Sequence, residues 1–322
     1  MTEALRFAAR LNAFKLGLPG KPGLDEILAR VARVADLRSA DLNYPDHLEG
    51  LTPKQALGVL QRHGIALNGL AMRYYGHAGF RLGAFTNPDP SVRRAAIDQT
   101  KRGLDALAEM GGNLMTLWMG QDGVDYAFQG NYGRMWDDTI AAMAEVADHN
   151  PGLDISVEYK PNEPRAFALM PDLATTLLAL DEIGRANTGV TLDFCHLLFA
   201  GEIPARSAVM AARRSRILGI HLNDGYGKRD DGLMVGSVHP VQTVEFFVEL
   251  QRQGPMGAIY FDTFPDHSGV DPVAEAGTNI AMTRRLWAIA EHLAADKDLA
   301  AATAAQDAAR CTAIVAAALY AR

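Results

Sequence analysis

Cysteine is nearly absent from this chain of 322 residues: only Cys195 and Cys311 are present, too few for a disulfide framework. A reduced, cytoplasmic protein is the simple expectation. No run approaches 18 uninterrupted apolar residues, so no membrane-spanning helix is expected. The first 20 residues lack the continuous apolar core of a signal peptide. Positive charge is in deficit, with 31 Lys and Arg against 38 Asp and Glu, a formal net charge of −7. That balance argues against nucleic-acid binding, because no basic stripe offsets it. Nor is there a Gly-rich phosphate loop. Low complexity and short repeats are missing too, apart from an Ala-rich tail. What remains, 48% apolar and 21% charged, is the composition of an ordinary globular protein.

Short β-rich runs alternate with helical patterns along this chain. Strands are expected near 6–12, 38–42, 66–72, 113–118, 154–158, 189–193, 217–222 and 258–262. Helices are expected near 24–35, 53–63, 90–110, 135–149, 171–186, 204–213, 240–253 and 272–293. The helix at 90–110 has the clearest signals, with Asp89 as N-cap, Pro90 as first residue and Gly111 at its end. Eight alternations without a long linker favour a single α/β domain, a parallel (β/α)₈ TIM barrel over 1–294, rather than a doubly wound sheet. Residues 295–322 read as an Ala-rich C-terminal helix that caps the barrel, packs on a partner subunit or lies on the surface.

Barrels of this type carry their chemistry at the carboxyl ends of the strands. The fifth run ends in Glu158 and Lys160, two residues apart and therefore on one side of a strand. Opposite charges on an inward face are costly to desolvate unless a metal or polar ligand joins them. The sixth run ends at Asp193, followed by Cys195 and His196; the seventh at His221, Asn223 and Asp224; the eighth at Asp262. Each has a plain structural alternative. Glu158 can be a rim ion pair with Lys160, Asp193 and Asp262 helix caps, His221 a core histidine, Asp224 a loop cap and Cys195 a buried thiol. Four consecutive strand ends bearing ligand-type groups are more specific than any one. Glu158, Asp193, His221 and Asp262 are the candidate metal set, of a donor type that suits Mn²⁺, Mg²⁺ or Co²⁺ and is compatible with Zn²⁺.

Residues 158–165, Glu-Tyr-Lys-Pro-Asn-Glu-Pro-Arg, resemble the metal-binding strand of xylose isomerases, which reads E-P-K-P-N-E-P-R. Residues 77–97 resemble that family's segment with a substrate-pocket phenylalanine and an S-V-R-R helix. The run from Leu117 and Trp118 to Gly123 resembles its L-W-G-G-R-E-G. Residues 218–237, through Gly-Ile-His-Leu-Asn-Asp and Leu-Met-Val-Gly-Ser, resemble bacterial L-rhamnose isomerases. The likeness covers roughly 65–265. It implies an aldose–ketose sugar isomerase of carbohydrate metabolism, with one or two divalent metals per subunit and a 1,2-hydride shift. Glu158, Asp193, His221 and Asp262 match the structural metal site, with Asn223 a second candidate for the strand-7 position. Asp193, His196 and Asp230 match a second, catalytic metal site. Lys160 would polarise the sugar C1 oxygen, and Trp118 and Phe85 would wall the pocket. A small-molecule sugar partner, no nucleic acid, no membrane and a homo-oligomer are implied. A short Ala-rich helix is expected in place of the family's long C-terminal arm, so its tetramer is not assumed.

The pattern departs from the family at two places. Gly232 stands where a D-x-D triplet has its second carboxylate, leaving Asp231 as substitute or the second metal site weakened. Asn43 stands where the family has its ring-opening histidine, with His47 and His77 as alternatives; Asn43 and His77 are candidate substrate contacts. The rivals are a ketose 3-epimerase of the same superfamily, which moves a proton with two metal-bound glutamates, a metal-dependent barrel hydrolase, and a sugar-binding protein without turnover.

Overall fold

A computed structural model describes residues 5–74, 78–254 and 257–320. Eight parallel strands close into a barrel: β1 Phe7–Arg10, β2 Leu37–Tyr44, β3 Ala66–Met72, β4 Leu114–Leu117, β5 Asp154–Glu158, β6 Thr188–Asp193, β7 Ile217–Leu222 and β8 Ile259–Phe261. Each pairs with its sequence neighbours and β8 closes on β1, so the (β/α)₈ expectation is borne out. Alternation explains why the strands sit as they do. Ile155 and Val157, Val190 and Leu192, and Ile220 and Leu222 face the surrounding helices and join the main apolar core. The intervening residues point into the barrel.

That interior is unusual. Bulky branched side chains commonly fill it in this fold. Here its middle is lined by Ala8, Asp41, Thr116, Ser156, Thr191 and Tyr260, all buried. Ser156 and Thr191 share a hydroxyl hydrogen bond of 2.6 Å, and Asn68 Nδ2 donates to Asp41 Oδ1 at 2.6 Å. A small, polar interior leaves room for polar groups directly above it.

Local caps set the helix starts. Asp89 accepts from Ser91 N at 2.8 Å, with Pro90 first in the helix Pro90–Glu109 and Gly111 left-handed beyond its end. Asp224, expected as a loop cap, accepts from the backbone of Val238 and His239 at 2.8 Å each. The tail is not one helix. Asp296 caps Lys297–Ala304, Gln306 turns left-handed (φ 54°), and a second helix runs Ala308–Tyr320. Two short segments that the sequence does not announce complete the rim: a helix Phe194–Phe199, and a ribbon of Gly123–Val124 with Phe167–Ala168. Among the described residues no helix is long and apolar enough to cross a membrane.

Candidate active site

The ladder register assembles the site. Asp193 pairs directly with His221, and Glu158 pairs with Thr191, two residues before Asp193. Glu158, Asp193 and His221 are thus raised to one level at the carboxyl end, and Asp262 follows β8. One donor atom from each of the four lies within 4.8 Å of the others. His221 Nδ1 is 3.2 Å from Glu158 Oε1 and 3.9 Å from Asp193 Oδ2. Asp193 is both cap and cluster member, because its Oδ1 also accepts from His196 N at 2.9 Å.

Asn223 is not part of the donor set. Its Nδ2 donates to both Asp193 oxygens at 3.1 and 3.0 Å and to the Asp262 carbonyl at 3.1 Å, and its Oδ1 accepts from Cys195 N at 2.7 Å. It holds Asp193 in place. Cys195 is a buried thiol, pushed up by burial and then by Asp193 and Asp230.

Electrostatics fit a cation at this cluster. Burial raises the Asp193 carboxyl, and the nearby carboxylates of Asp230, Asp262 and Glu158 add to it against the opposing His196. Burial likewise raises Asp262, despite Arg10. Burial opposes charge on His221 and His196, yet their carboxylate neighbours prevail and hold them up at about 9 and about 10. Burial opposes the Glu158 charge, but His221 and His196 outweigh it and hold that carboxyl down at about 2. Asp193, Asp262 and His221 are the members of the cluster pushed towards keeping a proton, which a divalent cation would displace.

Lys160 does not pair with Glu158 as a rim bridge would. Its Nζ lies 3.0 Å from Asp230 Oδ2 and 2.9 Å from Glu163 Oε2. Burial works against its charge, and Asp230 and Glu163 outweigh it, so its pKa is raised. His196 Nε2 also reaches Asp230 Oδ2 at 3.1 Å, leaving His196 Nδ1 and Asp230 Oδ1 without hydrogen bonds. The Trp118 ring centre is 5.2 Å from Lys160 Nζ.

A cavity of about 320 Å³ opens over these groups, with Glu158, Lys160, His196, His221, Asp230, Asp262 and Trp118 in its walls. It is at the small end of the range for ligand pockets.

Three expected contacts fall elsewhere. Phe85 is fully buried, edge-on to Tyr74 at 5.6 Å, because the carboxylate of Asp122 gathers the backbone of Ala84 and Thr86 and turns the loop inward. Asn43 is buried outside the cavity wall, and its N–H donates to His47 Nδ1 at 2.9 Å. His47, whose other ring nitrogen lies 3.3 Å from Asn12 Oδ1, is buried and lies outside the cavity wall. His77 lies outside the described residues. Asp231 is no substitute ligand: its oxygens accept from Tyr226 N and Arg229 Nε, each at 2.7 Å.

Other residues entered that wall unforeseen: Arg10, Arg73, Phe264 and His267. Arg10 Nε is 3.1 Å from Asp262 Oδ1, its NH1 is 2.9 Å from Asp266 Oδ1, and its guanidinium stacks 4.6 Å over Phe264. Its place at the end of β1 was the available signal, because a strand-end cation faces the barrel mouth as surely as a strand-end acid or imidazole does.

The model of the xylose isomerase-like TIM barrel family matches residues 31–286. The chain belongs to this family. The xylose isomerase of Thermus thermophilus is 28% identical over 251 residues, 72% of this chain and 64% of that protein. The chain thus spans a little under two thirds of that relative. Among solved structures, an L-ribulose 3-epimerase aligns with TM-score 0.72 at 14% identity, over 92% of this chain and 99% of that one. The D-allulose 3-epimerase of Methylomonas sp. in complex with D-allulose aligns with TM-score 0.68 at 18% identity, over 87% and 96%. At such identities these structures testify to the fold alone. For a member of this family, the cluster of Glu158, Asp193, His221 and Asp262 in the cavity wall is the place where a divalent metal fits.

Proposed function

We propose that this protein is a divalent-cation-dependent aldose–ketose isomerase acting on a small unphosphorylated sugar by a 1,2-hydride shift. The observation that carries the reading is the position of Lys160, in the same cavity wall as the Glu158, Asp193, His221 and Asp262 cluster. A divalent cation held by those four residues supplies Lewis acidity towards neighbouring sugar hydroxyls. The chain does the rest. Lys160 is kept positive and fixed by Asp230 and Glu163, so its ammonium is ready for negative charge that develops on O1 as the hydride moves from C2 to C1. Asn223 locks the Asp193 carboxylate from behind. Trp118 covers one wall and excludes water from the path of the hydride.

The unphosphorylated substrate rests on the sequence, which carries no Gly-rich phosphate loop. Epimerisation by proton transfer needs a free base on each side of the carbon. Glu158 is the only glutamate of the cluster, and the Asp262 carboxylate is engaged by Arg10 at 3.1 Å.

Turnover in D₂O separates the readings. A hydride shift delivers product with little deuterium. Substantial incorporation at one carbon per turnover overturns it and promotes the ketose 3-epimerase. No turnover across a panel of aldoses and ketoses with added Mn²⁺ leaves a sugar-binding protein.

A further inference from the structure

Two-metal chemistry is what the family resemblance implies, with Asp193, His196 and Asp230 around a second cation. The residues present do not fit it. Gly232, at the place of the second triplet carboxylate, has a left-handed backbone (φ 56°), and a Cβ there would run into the ring of Phe264, with Cε2 at 2.9 Å. Phe264 is itself fixed. Its N–H donates to the Gly232 carbonyl at 2.8 Å, Arg10 stacks over its ring, and the His267 ring lies 5.0 Å away. An aromatic ring therefore fills the space that a carboxylate at 232 would need. Asp231 is committed to Tyr226 N and Arg229. On the remaining carboxylate, Asp230, Oδ2 already accepts from Lys160 Nζ and His196 Nε2.

Asp193, the third residue of that set, already serves the four-residue cluster, and both its oxygens accept from Asn223 Nδ2. His196 Nδ1 and Asp230 Oδ1 are open, but two further donors fall short of the coordination a hard divalent cation requires. A cation bound to Asp230 would also sit beside an ammonium on the same carboxylate, and like charges repel. Among the described residues, the Glu158, Asp193, His221 and Asp262 set is the one group of three or more convergent donors.

We infer that this centre binds one divalent cation, and that the Lys160 ammonium, seated on Asp230 and Glu163, supplies the positive charge of the missing second. The inference rests on the proposed cation site at the four-residue cluster. The catalytic centre is thus built from one exchangeable cation and one covalently attached one.

The test is Mn²⁺ binding to the full chain, by calorimetry and by electron paramagnetic resonance, after chelator treatment. Wild type should bind one Mn²⁺ per chain. Lys160→Met uncovers Asp230 and Glu163 and should gain a second Mn²⁺, held at least tenfold more weakly. Lys160→Arg keeps a cation on Asp230 and should stay at one. Asp193→Ala should lose the first. Two Mn²⁺ in wild type with affinities within tenfold would overturn the single-cation centre while leaving the proposed function standing. A single site in folded Lys160→Met would overturn the part given to Lys160. No Mn²⁺ on folded wild type would instead overturn the cluster reading, and the inference with it.

Discussion

Gly232 offers the sharpest test of how this site is packed, through Gly232→Ala. Family logic would add a side chain here, since an acidic residue at this position completes a triplet. The geometry refuses even a methyl group. An ideal Cβ falls well inside van der Waals contact of three ring atoms of Phe264, whereas carbon atoms prefer about 3.5–4.0 Å. The ring cannot swing aside cheaply, because Arg10 covers one face and the backbone of Phe264 is bonded to Gly232 itself. Overpacking of this kind costs about 1–3 kcal/mol. A left-handed backbone adds about 1–2 kcal/mol once a Cβ is present. The sum is about 2–5 kcal/mol. Unfolding entropy of about 2.1 cal/mol/K per residue, over 322 residues, gives about 0.7 kcal/mol per degree. Tm should therefore fall by roughly 3–7 °C, read by calorimetry on metal-free protein. Adding Phe264→Ala should recover part of the loss, because the two positions share one space and their effects cannot add. A Tm within about 1 °C of wild type would refute the packing argument and reopen position 232 to a ligand.

Two further outcomes follow from buried ionisable groups. Lys160→Met should lower kcat by roughly 10²–10³-fold while changing KM only a few-fold, because the charge it meets develops in the transition state; steady-state kinetics with near-normal turnover would reduce Lys160 to a salt-bridge partner. His47 is held down to about 3 by burial and then by the charges of Lys15, Arg73 and Arg10, whereas an unfolded histidine titrates near about 6.5. Its neutral form therefore favours folding fully above that pH, and the contribution is lost as pH falls towards 3, by at most about 5 kcal/mol. His47→Gln should flatten the fall in urea-derived stability between pH 7 and pH 4, and parallel profiles for variant and wild type would sink the assignment.

Much of the fold was legible because its signals are local. Period-two alternation in Ile155–Val157 and Val190–Leu192 marks strands, and Asp89-Pro90 marks a helix start within three residues of chain. The tail misled because its composition is helical throughout, and only the left-handed turn at Gln306 divides it. Strand ends also gave up their chemistry locally. Glu158, Asp193, His221 and Asp262 could be named from the barrel rule alone, because a (β/α)₈ topology fixes which end of each strand faces the mouth.

The barrel, its polarity and the residue types around its mouth can be read from the chain, since these depend on periodicity and order along it. Which side chains meet is set by the folded barrel. Trp118 and Phe85 are both aromatic and both lie beyond the carboxyl ends of successive barrel strands, yet one lines the cavity and the other is sealed under the rim by Asp122. Lys160 sits two residues from Glu158 but pairs with Asp230, on a loop after β7. Arg10 reaches Asp262 because β1 closes on β8, joining the two ends of the barrel. Ring closure brings together side chains remote in sequence, and steric exclusion, as between Phe264 and Gly232, acts only through space; neither leaves a trace in local spacing.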